Sequence, residues 1–478
     1  MTSKLNYVDG QWFEGAGVAK NINPSDISDV IGEYAQGDAT QTEAAIAAAR
    51  IAFRSWAQSN PQERFNLLDR VGNTLLARKN ELGQLLSREE GKILPEGIAE
   101  VQRAGHIFKF FAGETLRTGG EILPSVRSGI SVEITREPIG VIGLITPWNF
   151  PMAIPAWKVA PALAYGNCVV LKPAELVPGC AHALAEIIAE AGAPAGVFNL
   201  VMGKGSIVGE ALVNSLEVDA ISFTGSVGTG HTIASRAIAT GKKIQLEMGG
   251  KNPLVILDDA DLKIAVDAAL NGAFFSSGQR CTASSRLIVT AGIHDRFLDA
   301  LSDRLAGLVV DHALKEGVHI GPVVDQNQLD QDLRYISIGL KEGALLVCGG
   351  KRLKRERDGF YLEPALFAET TNAMSICRDE IFGPVAAIIR VKDYEEALTT
   401  ANDTPFGLCA GICTTSLKFA THFKRNATAG MVMVNLPTAG VDYHVPFGGR
   451  KSSSYGPREQ GSYAAEFFTA VKSSYTAS

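Results

Sequence analysis

The chain has 478 residues, 46% apolar and 20% charged, enough for two or three domains with ample cores and too apolar for disorder. Its 45 Lys and Arg stand against 51 Asp and Glu, a net charge of −6, which argues against nucleic acid as the main partner. Seven cysteines without CxxC spacing and eight scattered histidines exclude a disulfide framework and give no zinc pattern, so no metal is expected. The first ten residues hold no apolar run of a signal peptide, and a cytoplasmic location is expected.

In chain order, the first hundred residues read as helical. Residues 42–58 are alanine-rich, and residues 63–92 continue at helical spacing through Phe65, Leu68, Val71, Leu75, Leu82 and Leu86. Residues 131–136 alternate as a strand does, and residues 141–146 are short and apolar. Residues 139–157 are uncharged and long enough to cross a bilayer. Pro147, Pro151 and Pro155 interrupt them, so the expectation is a buried strand followed by an irregular turn, with no membrane span.

From residue 168 strands and helices alternate: strands at 168–172, 197–201 and 220–223, helices at 181–191, 207–214 and 233–239. Continuous apolar strands between helices predict a parallel sheet covered on both faces. A second series follows, with strands at 253–257, 286–289, 345–347 and 385–389 and helices at 262–273 and 295–309. It predicts a second domain from about residue 249. Residues 467–474 alternate again, as a strand in search of a partner. The basic cluster at 351–355 reads as a solvated loop.

The chemistry is carried by short motifs. Phe223-Thr224-Gly225-Ser226 opens a glycine-rich strand-to-helix turn that closes at Gly230; its glycines let backbone approach a phosphate at a helix N-terminus. Alone it is weak, since such turns are often glycine-rich for steric reasons. Glu247 lies in Glu-Met-Gly-Gly-Lys, and Cys281 follows Gly278-Gln279-Arg280. A lone cysteine is more often inert than nucleophilic. Together with Pro147-Trp148-Asn149-Phe150-Pro151, Lys172-Pro173-Ala174-Glu175, Glu380-Ile381-Phe382-Gly383-Pro384 and Pro446-Phe447-Gly448-Gly449, the balance reverses. In these seven ordered motifs the chain resembles the aldehyde dehydrogenase superfamily over essentially its whole length.

That resemblance implies an α/β fold of three parts: a Rossmann-like cofactor-binding domain (1–121 with 138–248), an α/β catalytic domain (249–450) and a small β oligomerisation arm (122–137 with 451–478). It implies oxidation of an aldehyde to a carboxylate. Cys281 matches the nucleophile that forms a thiohemiacetal and then a thioester, Asn149 the side-chain oxyanion donor beside the Cys281 N–H, and Glu247 the general base. Lys172 matches a polar residue near the site and a ribose contact. The cofactor expected is NAD, with NADP possible; Glu175 favours NAD because a carboxylate repels a 2′-phosphate. Thr146, Pro147, Trp148, Phe223, Gly225, Ser226, Gly230, Glu380 and Phe382 match cofactor contacts. Glu459 stands open between a surface charge and a proton-relay partner. Arg280 and His444 are candidate readers of a substrate carboxylate, with structural roles the stronger expectation.

Within the superfamily the text is most similar to bacterial α-ketoglutaric semialdehyde (2,5-dioxopentanoate) dehydrogenases. It is carried by residues 155–158, 247–253, 280–286 and 452–454. The alternatives are another aldehyde or semialdehyde, a coenzyme A-acylating relative, and a catalytically silent relative. Glu247 and Cys281 weigh against the last two. The resemblance further implies a homodimer or homotetramer.

Overall fold

The computed structural model describes residues 3–477; Met1, Thr2 and Ser478, at the tips of the expected cofactor domain and arm, lie outside them. An eight-stranded sheet runs in the order Ser454–Tyr455, Lys243–Glu247, Ala220–Thr224, Val141–Ile145, Cys168–Lys172, Phe198–Leu200, Asn6–Val8, Gln11–Phe13. Its five middle strands are parallel. Val141–Ile145 and Cys168–Lys172 are buried along their whole length, as helix-covered parallel strands must be. The chain moves outward from Val141–Ile145 in one direction and returns to build the other half from Ala220–Thr224. Strand order therefore reverses between these two neighbours, and a crevice opens beyond their C-terminal ends.

A seven-stranded sheet follows, in the order Leu345–Cys348, Ala365–Thr370, Val385–Val391, Arg286–Thr290, Pro253–Ile256, Cys409–Cys413, Met431–Val434. Alternate residues feed separate cores on its two faces. Val255, Ile288 and Ile389 pack on one side, and Leu254, Leu287 and Ile388 on the other. A third sheet pairs Thr469–Ala477 with Ile130–Pro138 along nine residue pairs, and Ile130–Pro138 with Glu121–Pro124. Residues 451–478 were expected to belong wholly to this arm. Instead Ser454–Tyr455 pairs with Lys243–Glu247 at the edge of the first sheet, where it reaches Glu247.

One reading of the N-terminal half is corrected, and two are borne out and gain detail. The first forty residues are not helical: Asn6–Val8 and Gln11–Phe13 extend the first sheet, and Gly17–Asn23 pairs with Asp26–Gln36. These strands are short or polar, and their pairing comes from distant chain. Residues 63–92 are two helices, Pro61–Ala77 and Lys79–Glu90, parted at Arg78, whose guanidinium turns to Glu81. A further helix, Leu94–Thr115, begins after the left-handed Gly91. The uncharged segment 139–157 is a strand, a proline turn and then the start of the helix Ala153–Ala164, every residue of which is buried. Pro155 sits in its first turn, where no backbone donor is required. Among the described residues no helix is long and apolar enough to cross a membrane.

Asn167 ties these parts together. Its Oδ1 accepts from the N–H groups of Ile139 and Gly140 at 2.7 and 3.0 Å, and its Nδ2 donates to the Phe468 carbonyl at 2.8 Å. The first parallel strand and the C-terminal segment thus share one buried amide. Asn167→Ala leaves these groups unpaired and is expected to cost about 2–4 kcal/mol. A lower urea midpoint with unchanged secondary structure checks this; an unchanged midpoint contradicts it.

Candidate active site

Cys281 stands after a strained turn. Ser276, Ser277 and Gly278 have φ of 50°, 54° and 65°, three left-handed residues in a row. Such backbone persists only where the surroundings over-determine it. Glu96 Oε1 accepts from the Ser276 N–H and hydroxyl at 3.1 and 2.9 Å. The Ser277 hydroxyl donates to the carbonyls of Gly321 and Pro322 at 2.9 and 3.0 Å. Gln279 Oε1 accepts from Val324 N–H at 2.9 Å. Asn252 Nδ2 donates to the Cys281 carbonyl at 2.7 Å.

Asn149, 3% exposed, donates from Nδ2 to the Gln279 carbonyl at 3.0 Å. One of its two amide hydrogens is thereby used to fix the group beside the nucleophile's loop, and the other has no acceptor among the described residues. Lys92 donates from Nζ to the Asn149 carbonyl and holds the residue from behind.

Glu247 ends the strand Lys243–Glu247 and is 2% exposed. Its Oε2 accepts from the Ser454 hydroxyl at 2.6 Å. Burial and the neighbouring Glu459 carboxylate push its pKa well above the usual range, against the pull of Ser454, Lys158 and Arg458. A β-carbon at Gly448, whose φ is 147°, would lie 2.7 Å from Glu247 Oε1, so only glycine leaves this carboxylate its place. The Cys281 thiol is pushed up to about 12, first by burial and then by the Glu380 and Glu247 carboxylates. Acid and thiol thus act on each other's charge.

Glu459 is no surface charge. It is 2% exposed and paired with Lys158, which also donates to the Ser222 hydroxyl at 2.7 Å. Ser222 in turn donates to Gln245 Oε1 at 2.9 Å. Glu459 Oε2 has no partner. Lys158 carried no role in the sequence reading; its one signal is a cation in a helix that is otherwise wholly uncharged.

The crevice at the strand-order reversal gathers most of the expected cofactor residues. Thr146, Pro147 and Trp148 follow the strand Val141–Ile145, and the Trp148 ring meets Phe382 edge-on at 5.4 Å. Lys172 Nζ is 3.8 Å from Glu175 Oε1, which accepts from Gly205 N–H at 2.9 Å. Burial lowers the Lys172 pKa. Lys172 belongs to the crevice: its recorded partner is Glu175, and it does not line the cavity that holds Cys281. Ser226 caps the helix Val227–Ala239, and a β-carbon at Gly228 would meet nothing within 4 Å. The buried hydroxyls of Thr146 and Thr224 lack partners. An open helix N-terminus beside orphaned hydroxyls fits a dinucleotide.

Two residues of the glycine turn also pack inward. Gly230 is buried, with a β-carbon position 2.4 Å from Met248 sulfur, and Phe223 packs beneath Gly225. Glu380 Oε1 accepts from Gly250 N–H at 2.8 Å, and burial raises its pKa to about 7.

A cavity of about 410 Å³ opens onto Cys281, walled by Phe150, Trp157, Val441 and Phe447. Arg280 lines it and is held by Glu96 at 2.9 Å. His444 is exposed, meets the Tyr443 ring edge-on and does not line it.

Residues 12–474 match the aldehyde dehydrogenase family. The chain belongs to that family. It is 45% identical to an alpha-ketoglutaric semialdehyde dehydrogenase of Bacillus subtilis (strain 168), covering 98% of this chain and 97% of the relative. It is 41% identical to an alpha-ketoglutarate semialdehyde dehydrogenase of Haloferax volcanii, covering 98% of each. A crystal structure of betaine aldehyde dehydrogenase from Staphylococcus aureus in complex with NAD+ superposes with a TM-score of 0.97 at 34% identity, over 99% of this chain and 95% of that one. The fold is the family's: a Rossmann-like sheet, a second α/β sheet and a β arm. The chain is an oxidoreductase of this class.

A thiol held near 12 has a thiolate fraction that grows tenfold per pH unit through the neutral and mildly alkaline range. Alkylation of Cys281 by iodoacetamide, without cofactor, is expected to keep rising at about that slope from pH 7 to 10. A plateau near pH 9 contradicts the raised thiol.

Proposed function

We propose that this chain oxidises an anionic semialdehyde, α-ketoglutaric semialdehyde foremost, to its carboxylate by thioester hydrolysis with NAD. The observation that carries the reading is the anchoring of Asn149 on the Gln279 carbonyl beside Cys281, whose half-buried thiol feels the charge of the buried Glu247 carboxylate. Glu247 takes the Cys281 proton, and the thiolate adds to the aldehyde carbon. The new oxyanion is met by the free Asn149 amide hydrogen and the Cys281 N–H. NAD, when bound, supplies the hydride acceptor. Glu247 then removes a proton from water as it attacks the thioester carbon, and Cys281 leaves as the thiolate. Glu459 and Lys158 supply a buried route by which Glu247 loses that proton.

In this reading the first sheet serves the cofactor and the second carries the nucleophile. Thr146, Trp148, Lys172, Glu175, Ser226, Glu380 and Phe382 hold the dinucleotide, with Glu175 on the adenosine ribose. A 2′-phosphate would meet that carboxylate, which favours NAD over NADP. The substrate reading draws on the named function of the Bacillus and Haloferax relatives. Betaine aldehyde is the competing substrate, from the Staphylococcus structure. The arm exposes Ile122, Leu123, Val126, Val471 and Tyr475, which supports a homodimer or homotetramer built through it.

Glu247→Gln is expected to lower kcat by about 10²–10³-fold. An acyl adduct should accumulate on Cys281, read by intact mass. Unchanged kcat without an adduct contradicts the role. For the substrate, kcat/KM with α-ketoglutaric semialdehyde is expected to exceed that with pentanal and betaine aldehyde by about 10²-fold or more. Equal values contradict the reading.

A further inference from the structure

The cavity before Cys281 is lined by three cations, Lys92, Arg103 and Arg280, and by two carboxylates, Glu96 and Glu100. Both carboxylates are committed. Glu100 Oε2 lies 2.8 Å from Lys92 Nζ, and its Oε1 accepts from Met152 and Ala153 N–H at 3.0 and 3.1 Å. Glu96 holds Arg280 and the Ser276 turn through one oxygen. The two pairs cancel, and Arg103 remains.

Among the described residues Arg103 has no carboxylate at ion-pair distance. Its guanidinium makes one hydrogen bond, from Nη2 to Gln460 Oε1 at 3.1 Å. It lies over the Trp157 ring at 5.7 Å, and its Nε is buried without a partner. Glu100 and Asp442 act on it only through longer-range charge, as does Cys281. Gln460 is fully buried at a left-handed φ of 61°, a strained setting that holds its carbonyl on Arg103.

We propose that Arg103 is the residue that reads the substrate's remote carboxylate and thereby sets specificity. This rests on the reading of the cavity as the channel for an anionic semialdehyde. A desolvated guanidinium with free N–H groups is costly until an anion completes it, and a carboxylate can do so with two parallel hydrogen bonds. The aldehyde carbon then lies at Cys281 and the carboxylate at Arg103, with Trp157 and Phe447 flanking the chain between them. The same cation repels the quaternary ammonium of betaine aldehyde, so one residue selects for one substrate and against the other. Arg280 does not compete for this role, because Glu96 already neutralises it.

The test compares wild type, Arg103→Met and Arg103→Lys with α-ketoglutaric semialdehyde, pentanal and betaine aldehyde. The ratio of kcat/KM for the semialdehyde to that for pentanal is expected to fall about 10²-fold in Arg103→Met, mainly through KM, and to recover in part in Arg103→Lys. The ratio for betaine aldehyde to pentanal is expected to rise. Independently, glutarate should slow alkylation of Cys281 in wild type and lose that effect in Arg103→Met. If Arg103→Met does not fold, Arg103→Gln, which keeps a polar side chain but removes the charge, carries the same comparison. A wild-type preference that survives Arg103→Met, or equal protection by glutarate, overturns the assignment while leaving the semialdehyde reading intact. A parallel loss on all substrates marks Arg103 as structural and also overturns it. A wild type with no preference for the anion removes the semialdehyde reading itself.

Discussion

The site depends on holding two acidic groups, the buried Glu247 and the half-buried Cys281, where burial and charge keep both protonated. Desolvation disfavours both charged forms, and each charge disfavours the other. A proton is therefore retained in the pair until substrate gives the thiolate somewhere to go. The surroundings keep this arrangement from collapsing into an ordinary apolar core. Ser454 hydrogen-bonds one Glu247 oxygen, Gly448 makes room for the other, and Lys158 offsets the third carboxylate, Glu459. Removing Lys158 alone would leave two buried carboxylates unbalanced, which is the expensive way to break such a network.

The fold meets this constraint by bringing three chain regions to one junction. Glu247 comes from the end of a strand in the first sheet, Cys281 from a turn leading into the second, and Ser454 from a short edge strand that returns late in the chain. The edge strand looks trivial at two residues. Its antiparallel pairing places Ser454 opposite Glu247 in register, so the ladder itself aims the hydroxyl. The helix Ala153–Ala164 passes beneath and delivers Lys158 to Ser222 and Glu459. Cofactor crevice and nucleophile thus share a wall, and changes to it are expected to act on both.

What the sequence showed follows from where the information resides. Cys281, Glu247 and Asn149 sit in contiguous text whose glycines and prolines answer local backbone demands, so motif and geometry coincide. The parallel strands at 141–145 and 168–172 were legible because both faces are buried and no polar alternation survives. The missed parts carry little local signal. Lys158, Ser454, Lys92 and Glu100 take their meaning from partners tens to hundreds of residues away. Gly17–Asn23 and Asp26–Gln36 mix polar and apolar residues and are mostly half-buried or buried, and they become strands only through each other. Gly230 carries a second demand that the turn pattern does not show: its closeness to Met248 leaves no room for a β-carbon.

Backbone strain separates the working parts of the molecule from its frame. Eight described non-glycine residues have positive φ, and Ser276, Ser277, Phe382 and Gln460 are among them. Each of these four lies against the nucleophile's turn, the aromatic contact at the crevice or the tunnel arginine, and each is held by side-chain contacts from another element. Relaxing any one would be favourable locally and would move a group on which the chemistry depends. The sheets supply the rigidity that makes such strain sustainable: their cores are continuous, and the strained residues hang from their ends. The stability of the frame is therefore spent at its edges, where a stiff backbone turns burial and unpaired charge into reactivity and selectivity.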